Sequence, residues 1–104
     1  MKAKDVYTML KTLNIPVAYD HFESNKTVSP PFIVYRETDV DTFKADGITY
    51  YRDYNYEIEL ITEKKDTDLQ EELEELLTNN KLPYDLQSEL WDNTEKIYHN
   101  IYEI

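Results

Sequence analysis

The chain has no cysteine and only one glycine, Gly47. Without cysteine there are no disulfides and no thiolate metal ligands, and the composition suits folding in a reducing compartment. One glycine cannot build a phosphate-cradling loop, nor the pair of glycines that flanks a nucleophile elbow. Imidazoles are scarce too: His21 and His99 stand alone, in no metal-binding spacing. A closed zinc site would need several carboxylates to converge on both, so no metal and no cofactor are expected. Bases number 11 against 22 acids, a net charge of −11 at pH 7. Such a surface repels nucleic-acid phosphate at long range, and the pair Lys64-Lys65 is too short to form a basic patch. No stretch approaches the about 20 apolar residues of a membrane span, and Met1-Lys2-Ala3-Lys4-Asp5 opens no apolar run. A soluble chain with no export signal of its own is expected. Its 104 residues have room for one domain, 1–104.

Tyrosine, in contrast, is abundant, with ten in the chain. A disordered acidic chain is poor in aromatics, so this one should fold. The densest stretch, Ile48 to Thr62, alternates with a period of two. Tyr50, Tyr54, Tyr56, Ile58 and Leu60 fall on one face, interrupted by Arg52; Tyr51, Asp53, Asn55, Glu57, Glu59 and Ile61 fall on the other. This is a strand with one face buried and one wet, and a slip of one residue would bury three acids. It is expected to be the central strand.

Around it, Val6, Leu10 and Leu13, with Met9 beside them, make the apolar stripe of a helix over residues 2–14 that Asn14 and Pro16 stop. Val17 to Phe22 reads as a short strand near an edge. Glu23 to Pro31 is polar, with two prolines, and reads as an exposed loop. Phe32 to Thr38 is a strand buried on both faces at its start. Asp39 to Gly47 is longer than a tight hairpin needs; Asp46-Gly47 supplies a turn, and Phe43 is expected to fold back on the sheet as a structured flap. Thr67 and Gln70 have capping-box spacing for a second helix, whose inward stripe is Leu69, Leu73, Leu76 and Leu77. Its outward face carries Asp68, Glu71, Glu72, Glu74 and Glu75 with no base to pair them. After Leu82-Pro83, residues Tyr84 to Trp91 alternate, with Tyr84, Leu86 and Leu90 on one side. Asp92-Asn93-Thr94 is turn chemistry, and Glu95 to Ile104 reads as a last strand paired with the preceding one, although its four-residue spacing also permits a helix. Ending in apolar Ile104, that segment is expected to be tied into the sheet or a neighbour. The fold class is α+β: a mainly antiparallel sheet of four to five strands with two helices packed on one face, in the order α-β-β-β-α-β-β.

No nucleophile, acid–base pair or cofactor motif stands out, so an enzyme is not expected. The tyrosines Tyr50, Tyr51, Tyr54 and Tyr56 fit a small core with hydroxyls at its rim, or a subunit interface, since Tyr51 lies on the wet face.

Several segments together resemble a known family. They are Leu13-Asn14-Ile15-Pro16-Val17-Ala18-Tyr19, Pro30-Pro31-Phe32-Ile33-Val34-Tyr35, Phe43-Lys44-Ala45-Asp46-Gly47, Tyr56-Glu57-Ile58-Glu59-Leu60 with Lys65-Asp66 and the acidic leucine helix, and Lys96-Ile97-Tyr98. The chain is similar along nearly its whole length to small minor tail proteins of long-tailed phages and prophages of Gram-positive bacteria, those that complete or terminate the tail tube at the head. The resemblance implies helices against a mainly antiparallel sheet, self-assembly into a hexameric ring on the virion tail, built in the host cytoplasm, and tail-tube and head-connector proteins as partners. It implies no enzyme activity, no sequence-specific nucleic acid, no membrane, and no site residues to carry over. An acidic lumen would let DNA pass without sticking. Candidate interface residues are Lys26 and Phe43, on the two long loops, with Tyr51 and Tyr102. The alternative is a small acidic inhibitor or DNA mimic that meets a basic nucleic-acid-processing protein through the helix from Asp66 to Leu77.

Overall fold

A computed structural model of the chain describes the backbone at every position except Asn25 and Asp46, and the side chains outside residues 25, 40–46 and 48–53. The elements are α1 (Ala3–Lys11), β1 (Val17–Tyr19), β2 (Phe32–Ala45), β3 (Ile48–Thr62), α2 (Thr67–Asn79), β4 (Asp85–Asp92) and β5 (Ile97–Glu103). The five strands form one sheet in the order β1-β2-β3-β5-β4. All neighbours run antiparallel except β1 and β2, which are parallel. The expected α+β order, the central strand and the strand character of the last segment are therefore observed.

Alternation along β3 sets the layers. Tyr56, Ile58 and Leu60 are buried on one side. Their register partners Tyr35 and Ile33 on β2 and Tyr102 on β5 join them. Val6, Met9 and Leu10 of α1 and Leu73 and Leu77 of α2 complete this single core cluster, with Leu69 and Leu76 partly buried against it. Both helices thus meet the same side of the sheet. Each fully buried leucine there contributes roughly 1.5–3 kcal/mol over an exposed one. The early part of β2 is buried on both faces, as Ile33, Val34 and Tyr35 are each at most 7% exposed. On the far side, Phe22 from the following loop sets its ring edge-on to Phe32, centroids 5.4 Å apart.

Helix starts and stops depart slightly from the sequence reading. In α1, the Lys2 backbone N–H donates to Asp5 Oδ2 at 2.9 Å, and the helix ends at Lys11, with Asn14 at φ 60°. In α2 the cap is Asp66 rather than Thr67: its Oδ1 accepts from the Leu69 N–H at 3.0 Å. Aspartate has the stronger acceptor, and it sits where the backbone is still extended.

Two further expectations are corrected. Residues 39–45 do not form a flap; the strand continues to Ala45, turns at Gly47, whose φ is +76°, and returns along β3. The length that looked too great for a hairpin is paired strand, and the ladder runs through two irregularities, at Glu37/Asp39 and Phe43/Lys44, each with one extra residue on one strand. On β4, Leu86 and Leu90 do not share a face. Leu86 pairs with Tyr102 and Ser88 with Ile101, so Gln87 is an inserted residue, and the bulge puts Leu90 opposite His99 on the far side.

Beyond the Tyr56–Ile104 rung, β3 continues in register with β2. Seven register pairs, from Asp39–Asn55 to Ala45–Ile48, form a two-stranded arm of about 24 Å at about 3.4 Å per residue. The molecule is accordingly long, 52 × 31 × 24 Å.

Candidate functional site

Three features stand out beyond the core. The first is a line of charge on the sheet face away from the helices. Arg36 on β2 donates from Nε to Asp20 Oδ1 at 3.1 Å, and its Nη1 and Nη2 lie 3.3 and 3.6 Å from Glu57 and Glu59 on β3. Glu59 also pairs with His99 Nδ1 on β5, and Asp20 with His21 Nδ1 at 3.0 Å. Burial works against the Arg36 charge, yet the Asp20 and Glu57 carboxylates outweigh it and raise its pKa. Asp20 is held below the usual carboxylate range by His21 and then Arg36. The line sets one guanidinium and two imidazoles against three carboxylates, and it includes no thiol. Among the described residues no group of three or more His, Asp and Glu could hold a metal ion.

The second feature is a polar chain over the helix side. Lys65 pairs with Glu89 on β4, donates to Gln70 Oε1 at 2.7 Å, and lies 5.6 Å from the Tyr98 ring centre. Gln70 Nε2 donates to Glu74 Oε2 at 3.2 Å; the same oxygen accepts from the Tyr102 hydroxyl at 2.6 Å, and Oε1 accepts from the Tyr84 hydroxyl at 3.1 Å. Glu74 therefore leaves the outward acidic face on which its sequence position was counted. On a helix it flanks Leu77 and stacks over Gln70, close enough to the seam to reach down to the sheet. Burial, with the Glu74 carboxylate next, raises the pKa of Tyr102. Beside this chain lies Asn100, fully buried opposite Leu60 and Glu89, with neither amide atom hydrogen bonded.

The third feature is the free edge. Among the described residues, the large apolar side chains left exposed on the sheet are concentrated on β4, with Leu86, Leu90 and Trp91 between 42% and 54% exposed; Tyr19 on the opposite edge strand is 47% exposed. At the root of the arm, a groove of about 340 Å³ opens between Met1, Tyr54, Asn55, Tyr56, Leu82, Pro83 and Ile104.

The four sequence candidates fare unequally. Lys26 is exposed on its loop, its N–H bonded to the Glu23 carbonyl at 2.9 Å. Phe43 and Tyr51 are register partners on the arm, and their side chains lie outside the described residues. Tyr102 is withdrawn as an interface residue: it is 0% exposed, because it points under α2 to Glu74. The exposed apolar set on β4 was missed, since unbroken alternation places Leu86 and Leu90 together; the displaced polar residue Gln87 is the one hint of the bulge.

No protein-family model matches the chain, and no curated protein matches it. No helix among the described residues is long and apolar enough to cross a membrane.

Proposed function

We propose that this chain is a structural subunit that acts by fitting against copies of itself: a ring that completes or terminates a phage tail tube and joins it to the head. The observation that carries an assembly role is the pairing of a two-stranded arm that runs on past the five-stranded sheet with an apolar open edge on β4. Leu86, Leu90 and Trp91 lie outside the core cluster, and exposed apolar side chains gathered on one edge mark an interaction surface. The resemblance to small tail proteins supplies the phage setting. The −11 charge suits a bore through which DNA passes without adhering.

A second reading, an acidic inhibitor, draws on the exposed face of α2, where Asp68, Glu71, Glu72 and Glu75 stand with no base in the helix. Native mass spectrometry with a pull-down separates the two. Self-assembly, or capture of a tail-tube subunit, supports the first; a 1:1 complex with a basic nuclease supports the second. In a phage carrying the gene, Lys26→Glu and Phe43→Ala, each confirmed folded, are expected to impair tail assembly or DNA ejection. Intact function in both would sink the assignment of the Lys26 loop and the Phe43 arm to the contacts.

A further inference from the structure

Building on the self-assembly reading, we infer that copies meet head to tail, with the outer face of α1 of one copy seated on the uncovered helix side of β4 of the next. On α1, Lys4, Tyr7 and Lys11 stand at i, i+3 and i+7, a stripe turned away from the buried Val6, Met9 and Leu10. All three are exposed, and among the described residues neither lysine has an ion partner. Tyr7 and the exposed Tyr19 of β1 lie close enough to Tyr35 to raise its pKa, after burial, so aromatic surface continues from the helix to the sheet edge. The receiving surface is on β4. Leu86, Glu89 and Trp91 are in register with Tyr102, Asn100 and Tyr98, which places them on the side of the sheet that carries the helices. No residue of β4 joins the core cluster, and Leu86 and Trp91 stay 42% and 49% exposed. Beside the start of β4, a groove of about 240 Å³ is lined by Glu71, Glu74 and Glu75 of α2 and by Tyr84. α1 is about 14 Å long and Leu86 to Trp91 spans about 17 Å, so one helix covers most of the bare strand.

Charge favours head to tail over a symmetric pair. Residues 1–19 carry three lysines and one acid, Asp5, which turns back to the Lys2 N–H, whereas residues 20–104 carry 8 bases and 21 acids. α1 against α1 would set Lys4 and Lys11 against their own copies. β4 against β4 would gather Asp85, Glu89 and Asp92 of both chains with no base on either strand. α1 on β4 instead brings the two lysines to Glu71 and Glu75, which have no base in their own helix, and lays Tyr7 against Leu86 and Trp91. The two surfaces differ, so the contact repeats into a ring where its rotation closes.

Charge reversal with complementation tests the contact. One variant carries Lys4→Glu and Lys11→Glu, a second carries Glu71→Lys and Glu75→Lys, and each is first confirmed folded by circular dichroism. In native mass spectrometry each alone is expected to assemble at least about tenfold more weakly than the parent chain, because like charges then face each other across the contact. Mixed in equal amounts, the two are expected to assemble again as alternating copies, since every acidic surface now meets a basic one. Assembly of either variant alone at the parent's strength, or a mixture that stays as separate chains, overturns the inference. If the parent chain forms rings in that case, the assembly reading stands and only this contact is wrong; a parent chain that stays single overturns both.

Discussion

At Tyr102 a phenol is sealed from water and its hydroxyl reaches Glu74 Oε2 at 2.6 Å. Tyr102→Phe keeps the ring and removes the donor, leaving a part-buried carboxylate short of one partner. It is expected to cost about 1–3 kcal/mol, measured by urea denaturation; a neutral result would mean that Glu74 swings out to solvent. Asn100 is the opposite case, a buried amide with no bond at either atom. Asn100→Leu has similar shape and no polar group to desolvate, so a gain of about 1–3 kcal/mol is expected by the same assay. A loss would show that the amide is paired after all. Tyr56 titrates in a readable window: burial, with Glu37 next, pushes its pKa up from 10.0 to about 12. A raised folded pKa stabilises the fold in full below the unfolded value and loses that contribution as pH climbs through the folded one. Stability should therefore fall by about 2–3 kcal/mol between pH 10 and pH 12 from Tyr56 alone. Tyr56→Phe, which also gives up the bond to the Met1 carbonyl at 3.0 Å, should make the alkaline slope shallower. The slope should not vanish, because Tyr102 is shifted in the same direction.

At the scale of elements, α2 hangs on the Asp66 cap and the Leu73–Leu77 seam. Asp66→Ala is expected to lower stability by about 1 kcal/mol, read from the thermal midpoint, whereas Thr67→Ala should do much less because Thr67 is not the cap. Periodicity exposed the parts where one rule acts alone. The stripes of both helices, the two faces of β3 and the Asp92 turn, whose Oδ1 accepts from Thr94 and Glu95, could all be read from residue order. Failures came where a local irregularity resets the count. The bulge at Gln87 turns Leu90 to the other face, and the polar run from Asp39 to Ala45 stays paired with β3 through slips near Asp39 and Lys44. Tertiary partners decide the remainder: Glu74 looks like one more surface acid until Tyr84 and Tyr102, ten and twenty-eight residues away, are folded beneath it.

For the whole molecule, one side of the sheet is closed by two helices, while at one edge β4 keeps apolar side chains in solvent and β2 and β3 run on together as an arm. Such an arrangement leaves the apolar β4 edge within reach of a neighbour. The most direct test of the proposed assembly is the mass of the assembled species, by native mass spectrometry of the parent chain alone and mixed with the tail-tube subunit proposed as its partner. A closed ring of identical copies, weakened when Leu90→Lys and Trp91→Lys are introduced, is the predicted result. A single chain in both samples, with the tube subunit left unbound, would contradict the account.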